Sequence, residues 1–169
     1  MNISYRPIRK SEHGFLRDML YEALFVPVGE ERHPKAIVDL SEISKYVSDW
    51  NPAAGDVAIV ALVDGKLVGA IWARSFSPEN KGYGYVSPET PEISMASQEA
   101  FRNRGIGTEL LKQIVLTCRQ QGVERISLSV DKRNPARQLY LRNGFEFYED
   151  AGTALTMVKV IAVSPASRE

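Results

Sequence analysis

Two spacings of apolar residues recur along this chain, and together they predict a series of strands and helices. Alternating or continuous apolar residues predict strands at residues 3–9, 57–63, 67–74, 92–97, 125–130, 145–150 and 155–163. Apolar residues three and four positions apart predict helices at residues 11–24 and 38–50, and from the turn at Gly105 to about Gly122. A short helix follows Asn134-Pro135, a favoured cap and first-turn pair, and ends at Asn143-Gly144.

The connections between these elements predict how the chain is organised. Asp64-Gly65 predicts a tight hairpin, and residues 26–35 and 76–91, rich in proline and glycine, predict loops, the second an irregular flap. The predicted order is β-α-α-β-β-β-α-β-α-β-β, without an internal repeat or a linker. It indicates one domain at residues 1–163, an α/β (α+β) fold with a mixed sheet and helices on both faces, and a flexible tail at residues 164–169.

Composition narrows the class of function. The chain has 169 residues, of which 44% are hydrophobic, and its 21 basic residues balance 21 acidic ones, which argues against nucleic-acid binding. No apolar run approaches the roughly 18 residues needed to cross a bilayer, and no signal peptide begins the sequence. The single cysteine, Cys118, forms no internal disulfide, and His13 and His33 have no metal-ligand spacing around them. We therefore expect a cytoplasmic protein without a metal.

The run from Arg102 to Thr108, Arg-Asn-Arg-Gly-Ile-Gly-Thr, is the first candidate for chemistry. Its two glycines allow a tight turn and a close approach to a ligand, and the helix that opens there directs unpaired N–H groups at that ligand. These are the parts of a phosphate or pyrophosphate site, although an ordinary tight turn has the same residues. The run lacks the Lys-Ser/Thr pair of a P-loop, and Leu110 replaces the third glycine of a dinucleotide fingerprint.

A second motif, about thirty residues later, changes this picture. Arg102-x-x-Gly105-x-Gly107 follows the predicted strand 92–97, and Asn134-Pro135-Ala136-Arg137-Gln138-Leu139-Tyr140 leads to Asn143-Gly144-Phe145. Together they resemble the two signatures of GNAT-superfamily N-acetyltransferases, with alanine one place early in the second. The resemblance covers essentially the whole chain. It implies a twisted, mostly antiparallel sheet of six to seven strands, and acetyl-CoA as cosubstrate.

The resemblance also implies which residues bind acetyl-CoA. The pyrophosphate is expected on backbone N–H groups of the glycine turn, with the Arg102 side chain nearby; these N–H groups belong to Arg104, Gly105, Ile106, Gly107 and Thr108. The pantetheine arm is expected to pair with the main chain of Ala96 and Ser97. Asn134 is expected to contact the cofactor as well as to cap its helix.

Two residues are candidate catalysts by the same resemblance. Tyr140 could be a core aromatic residue, but the motif places its hydroxyl near the thioester sulfur. A phenol with a pKa near 10 could donate a proton to the departing thiolate there. Glu92, at the start of the fourth strand, could accept the proton of the acceptor ammonium, directly or through water. A solvent-facing glutamate at a strand edge remains its alternative.

The acceptor is less well specified by the sequence. Trp50, Tyr83 and Tyr85 could line a substrate pocket or pack in the scaffold, and Glu30, Glu31 and Glu89 could hold a cationic amine or face solvent. We expect an enzyme that transfers acetyl to a primary amine by direct attack in a ternary complex. A non-catalytic acyl-CoA sensor, a different acyl group and a hydroxyl acceptor stay open. A homodimer is a family expectation.

Overall fold

A computed structural model describes residues 1–162, so the predicted tail lies outside the described residues. A seven-stranded sheet runs through it in the order β1-β2-β3-β4-β5-β7-β6. Its strands are β1 (Ile3–Pro7), β2 (Val57–Val63), β3 (Lys66–Arg74), β4 (Glu92–Ser97), β5 (Arg125–Asp131), β6 (Glu146–Asp150) and β7 (Ala154–Val160). All neighbours pair antiparallel except β4 and β5, which run parallel. The predicted fold class is confirmed.

Four α-helices flank the sheet: α1 (Gly14–Ala23), α2 (Ser41–Ser44), α3 (Ile106–Gln120) and α4 (Ala136–Arg142). Short 3-10 turns lie at Lys10–Glu12, Lys35–Asp39, Pro52–Ala54 and Glu99–Phe101. The order of strands and α-helices agrees with the predicted order. Within residues 1–162 no helix is both long and apolar enough to span a bilayer.

The second helix is much shorter than predicted. Residues 38–50 contain the end of a 3-10 turn, the four-residue α2 and a series of turns that stops at Asp49, whose φ is +54°. Leu40 has extended backbone and separates the 3-10 turn from α2. Three serines, Ser41, Ser44 and Ser48, also weaken a continuous helix, because serine side chains compete for backbone hydrogen bonds. Among the apolar residues that predicted this helix, Ile43 and Tyr46 are buried but Leu40 is exposed, so the spacing predicted part of the buried face but not the length of the helix.

Each face of the sheet has its own apolar core. On one face α3 and α4 pack over β2 to β5, with Leu110 and Ile114 fully buried. On the other face α1 and α2 pack over β2 and β3, around Leu16 and Trp72. Because both faces are covered, every residue of β2 is buried.

The sheet separates between β4 and β5. These two strands share one register pair, Glu92 opposite Ser127, at the start of β4. Beyond it, β4 stays paired with β3 as far as Ser97, and β5 stays paired with β7 as far as Asp131. The facing edges of β4 and β5 therefore lose their partners, and a cavity of about 910 Å³ lies between them.

Candidate active site

The cavity extends from one face of the sheet to the other. One part, here called the α3 side, is formed by the turn at 102–108, the start of α3, and α4. The opposite part, the α1 side, is formed by α1, residues 24–26, Ile43, Tyr46 and Tyr83. The predicted site residues that line the cavity are Tyr83, Glu92, Ala96, Ser97, Arg102, Gly105, Ile106, Gly107, Thr108, Asn134 and Tyr140. Two small substrates could meet in it from opposite faces.

The glycine turn on the α3 side has the geometry of an anion site. Asn103 and Gly105 are left-handed, with φ of +61° and +80°, and Gly105, the residue before α3, has no side chain that could bond to the first N–H groups of the helix. The first N–H groups of this 15-residue helix are thus available to a ligand. A Cβ on Gly107 would lie 3.0 Å from Leu139 Cδ2 and 3.3 Å from Met95 Cε. The positive φ favours glycine at position 105, and a side chain at position 107 would press on the ends of the Leu139 and Met95 side chains.

The two arginines of the turn point in different directions. Arg102 lines the cavity, and its guanidinium donates to the Ser97 carbonyl and to the Glu22 carboxylate, each at 3.4 Å. The Arg104 side chain lies outside the lining, with its guanidinium 3.6 Å from the Met1 sulfur. A contact from Arg104 to a ligand would thus come from its backbone N–H, as the sequence predicts.

Asn134 caps α4. Its side-chain oxygen accepts a hydrogen bond from the Ala136 N–H at 2.9 Å, and its carbonyl accepts one from the Arg137 N–H at 3.1 Å. Because Asn134 also lines the cavity, the capping role and a ligand contact are compatible.

Tyr140 presents a phenol to the cavity. Its side chain is 9% exposed and packs edge-on against Phe145, with 5.7 Å between ring centroids. Among residues 1–162, none forms a hydrogen bond with its hydroxyl. Burial raises the pKa of Tyr140 to about 12, so the phenol is protonated at neutral pH.

Glu92 is buried, which excludes the solvent-facing alternative. It is 3% exposed, and each carboxylate oxygen accepts one hydrogen bond. The Tyr46 hydroxyl donates to Oε2 at 2.5 Å, and the Gly84 N–H donates to Oε1 at 3.0 Å. Burial raises the pKa of Glu92 to about 7, although these hydrogen bonds and the charge of Lys45 oppose the shift.

Tyr46 is a site residue that the sequence did not reveal. Its hydroxyl bonds to Glu92 and accepts from the Tyr83 N–H at 2.7 Å. Burial and the neighbouring Glu92 raise the pKa of Tyr46, so the phenol is the donor to the carboxylate. In the sequence it is one of several apolar positions in the predicted helix 38–50, and it lies 46 residues from Glu92.

The flap at residues 76–91 covers Glu92 closely. A Cβ on Gly82 would lie 2.2 Å from Glu92 Oε1, and a Cβ on Gly84 would lie 2.6 Å from the Leu128 carbonyl carbon. The Gly84 carbonyl accepts a hydrogen bond from the buried Ser127 hydroxyl at 2.7 Å. The two glycines thus let the flap backbone fill the point where β4 and β5 separate. In the sequence, these two glycines are the feature that indicates a close approach of the flap backbone.

Of the three aromatic candidates for acceptor binding, Tyr83 alone lines the cavity, where its ring stacks parallel to Tyr46 at 6.4 Å. Trp50 lies outside the lining, with the Arg74 guanidinium 5.2 Å from its ring, and Tyr85 lies beside Lys81. The candidate carboxylates Glu30, Glu31 and Glu89 are exposed and also lie outside it.

Solved structures of similar fold include acetyltransferases. The PaiA N-acetyltransferase from Thermoplasma acidophilum, in complex with coenzyme A, is 18% identical, with a TM-score of 0.69 over 95% of this chain and 99% of that chain. A phosphinothricin acetyltransferase from Sinorhizobium meliloti, in complex with AcCoA, is 18% identical, with a TM-score of 0.68 over 98% of this chain and 92% of that chain. No protein of curated function matches the sequence significantly.

The sequence itself matches a family model. Residues 17–145, which include most of α1, the glycine turn and α4, match the model of the acetyltransferase (GNAT) family. This range contains both motifs and most of the cavity lining. The chain belongs to the GNAT acetyltransferase family.

Proposed function

We propose that this protein transfers the acetyl group of acetyl-CoA to a primary amine by direct attack in a ternary complex. One observation supports the proposal above the others. A buried carboxylate, Glu92, and a protonated phenol, Tyr140, line the same cavity as an uncapped helix N-terminus. These groups suit removal of a proton from the nucleophile, donation of a proton to the leaving group, and binding of a pyrophosphate.

The residues of the α3 side fit acetyl-CoA. The N–H groups at the start of α3 and the left-handed turn at Gly105 suit a pyrophosphate, and Arg102 adds a positive charge. The free edge of β4 at Ala96 and Ser97 suits an extended arm with amide groups, because such an arm can pair like a strand. The coenzyme A bound to the Thermoplasma acidophilum relative supports this assignment.

The proposed reaction needs three proton transfers. The acceptor ammonium loses a proton to Glu92, and the neutral amine then attacks the thioester carbonyl carbon. The new C–N bond forms, the C–S bond breaks, and the Tyr140 hydroxyl donates its proton to the thiolate. The attacking nitrogen then gives its surplus proton to the Tyr140 phenolate, which restores the phenol and leaves a neutral amide. A backbone N–H of β4 is the expected donor to the carbonyl oxygen during attack.

The pKa values suit these roles. With its pKa raised to about 7, Glu92 is a stronger base than an exposed carboxylate and is still substantially ionised at neutral pH. The Tyr46 and Gly84 donors hold its two oxygens in place. Tyr140 has a raised pKa, so it keeps its proton until the thiolate forms nearby.

The test is thiol release from acetyl-CoA with a panel of amines, with calorimetric binding of coenzyme A measured alongside. Tyr140→Phe is expected to lower turnover at least about tenfold, as typical for loss of a general acid, with nearly unchanged acetyl-CoA affinity. Tyr148→Phe is the matched control, because Tyr148 is exposed on β6 and outside the cavity. Unchanged turnover of Tyr140→Phe would remove Tyr140 from the mechanism.

Other outcomes of the panel are equally informative. Tight binding of coenzyme A without thiol release from any amine would favour the sensor alternative over the transferase. No binding would contradict both. The cytoplasmic location and the homodimer stay predictions from the sequence.

A further inference from the structure

The α1 side of the cavity has an apolar lining. Its side chains include Leu20, Leu24, Phe25, Val26, Ile43 and Tyr83. Leu20 and Ile43 are anchored in the core beneath α1, while Leu24, Phe25 and Val26 are half-buried and remain accessible from the cavity. A ligand that reaches Glu92 from this side therefore passes mainly hydrocarbon and aromatic surface.

The charged residues of the lining are few, and most have partners. They are Glu22, Arg32, Glu92, Glu99, Arg102 and Arg142. The Glu22 carboxylate holds the Arg32 guanidinium at 3.0 Å and the Arg102 guanidinium at 3.4 Å. Glu99 belongs to the turn between β4 and α3 and lies close enough to Arg32 to raise its pKa.

Arg142 belongs to the α3 side. It lies one helical turn after Leu139, whose side chain reaches the Gly107 position of α3, and residues three apart share a helix face. Lys45, whose charge opposes the rise that burial causes in the pKa of Glu92, donates a hydrogen bond to the Lys81 carbonyl and lies outside the lining. Within the described chain, the α1 side thus offers one buried carboxylate, Glu92, without a cationic partner in a salt bridge.

The loop after α1 is unusually apolar for a connection. Residues 24–28 read Leu-Phe-Val-Pro-Val, and they cross from α1 to the far side of the cavity. There the Arg133 guanidinium lies 5.9 Å from the Phe25 ring, which links the loop to the connection between β5 and α4. Leu24, Phe25 and Val26 line the cavity, whereas Pro27 and Val28 lie outside the lining. The three lining residues present a continuous apolar surface to a ligand on the α1 side.

We propose that the acceptor is a primary amine with a single positive charge on an uncharged, apolar body. The inference rests on the proposed function and specifies its substrate. The Glu92 carboxylate is complementary in charge to one ammonium group, and the apolar lining is complementary in polarity to an alkyl or aryl body. A second ammonium group, as in a polyamine, or a carboxylate, as in an amino acid, would lose its hydration against this lining, because the nearby Glu22, Arg32 and Arg102 are already paired with one another.

Three amines of equal length test this inference directly. Hexylamine, 1,6-diaminohexane and 6-aminohexanoate share the reactive end and differ in the group at the other end. We expect kcat/KM for hexylamine to exceed both others at least about 30-fold, because burying an unpaired charge is costly. From propylamine to hexylamine, kcat/KM is expected to rise roughly fourfold per added methylene group. Equal or better use of the diamine or the amino acid would overturn the inference.

A pair of variants tests whether the loop is responsible. Val26→Asp puts a carboxylate into the lining, and Val28→Asp puts the same group two residues later at a fully exposed position outside it. We expect Val26→Asp to lower kcat/KM for hexylamine about tenfold and to raise the relative use of 1,6-diaminohexane, as expected when a second cation gains a partner. Val28→Asp is expected to leave both values unchanged. Equal effects of the two substitutions would contradict the proposed lining.

Binding measurements separate this inference from the proposed function. Calorimetry with the three amines on the coenzyme A-bound protein reports acceptor preference without turnover. Preference for hexylamine without thiol release would support the inference and contradict catalysis. Thiol release with preference for the diamine would support catalysis and overturn the inference, and equal or absent binding of all three amines would also overturn it.

Discussion

The two sides of the cavity are built by different means. On the α3 side, backbone groups and small residues from short stretches of chain, around Gly105 and Asn134, form the surface. On the α1 side, side chains from distant parts of the chain meet, and the pair Tyr46 and Glu92 is the clearest example. A binding surface made of backbone groups can be formed by a short local motif. A surface made of side chains from distant segments forms only when the whole chain is folded. This difference explains why the sequence indicates a nucleotide-like cosubstrate more clearly than an acceptor.

The largest expected effect would break the α3 side alone. Gly107→Val would crowd Leu139 and Met95 and displace the helix start from the phosphates, so coenzyme A affinity is expected to fall at least about 100-fold. Isothermal titration calorimetry measures the loss, and thermal unfolding checks the fold. Gly14→Val is the matched control, since a Cβ there meets nothing within 4 Å. Tight binding by Gly107→Val would mean that the phosphates bind elsewhere.

The next effect would break the α1 side alone. Glu92→Gln keeps the shape and an acceptor for the Tyr46 hydroxyl but removes the base, so kcat is expected to fall about 100-fold with coenzyme A affinity nearly unchanged. The wild-type rate should fall as pH drops below about 7, because Glu92 becomes protonated there, and the variant should lose this dependence. Glu89→Gln, at an exposed position, is the control. A wild-type pH profile in Glu92→Gln would assign the base elsewhere.

The smallest expected effect tests whether Tyr46 tunes the pKa of Glu92 within the α1 side. Tyr46→Phe removes a hydrogen bond that favours the ionised carboxylate, so the pKa of Glu92 should rise. The acidic limb of the rate profile is then expected to move up by roughly one pH unit, with a change of a few-fold in kcat at pH 8. Tyr85→Phe, outside the cavity, should leave the profile in place. An unmoved limb in Tyr46→Phe would show that this phenol does not tune the base.

Much of the sheet could be predicted from the sequence. The predicted strands 57–63 and 92–97 coincide with β2 and β4. In β2 the reason is its continuous apolar run, which is rich in β-branched residues that favour strands. The predicted helix 38–50 was too long, because burial of Val38, Ile43 and Tyr46 does not require continuous helix. In this segment the apolar spacing indicated some of the side chains that face the core, although Leu40 is exposed, and it was less informative about the backbone between them.

The candidate site also has a part that the sequence could predict and a part that it could not. The glycine turn and Asn134 could be placed from local motifs, because their geometry depends on neighbours a few residues away. The environment of Glu92 could not, because a glutamate at a strand start is ordinarily exposed. Its burial depends on the flap backbone at Gly84 and on Tyr46, which the fold brings together from separate segments.

The separation of β4 from β5 also affects how ligands enter and leave the cavity. A pocket on the surface of a sheet has one entrance, so two ligands that share it must enter and leave in sequence. A gap that passes through the sheet has two entrances, one on each face. Under the proposed function, acetyl-CoA arrives from the α3 side and the amine from the α1 side. Neither molecule has to pass the other, and each entrance can change its shape over evolution without closing the opposite one.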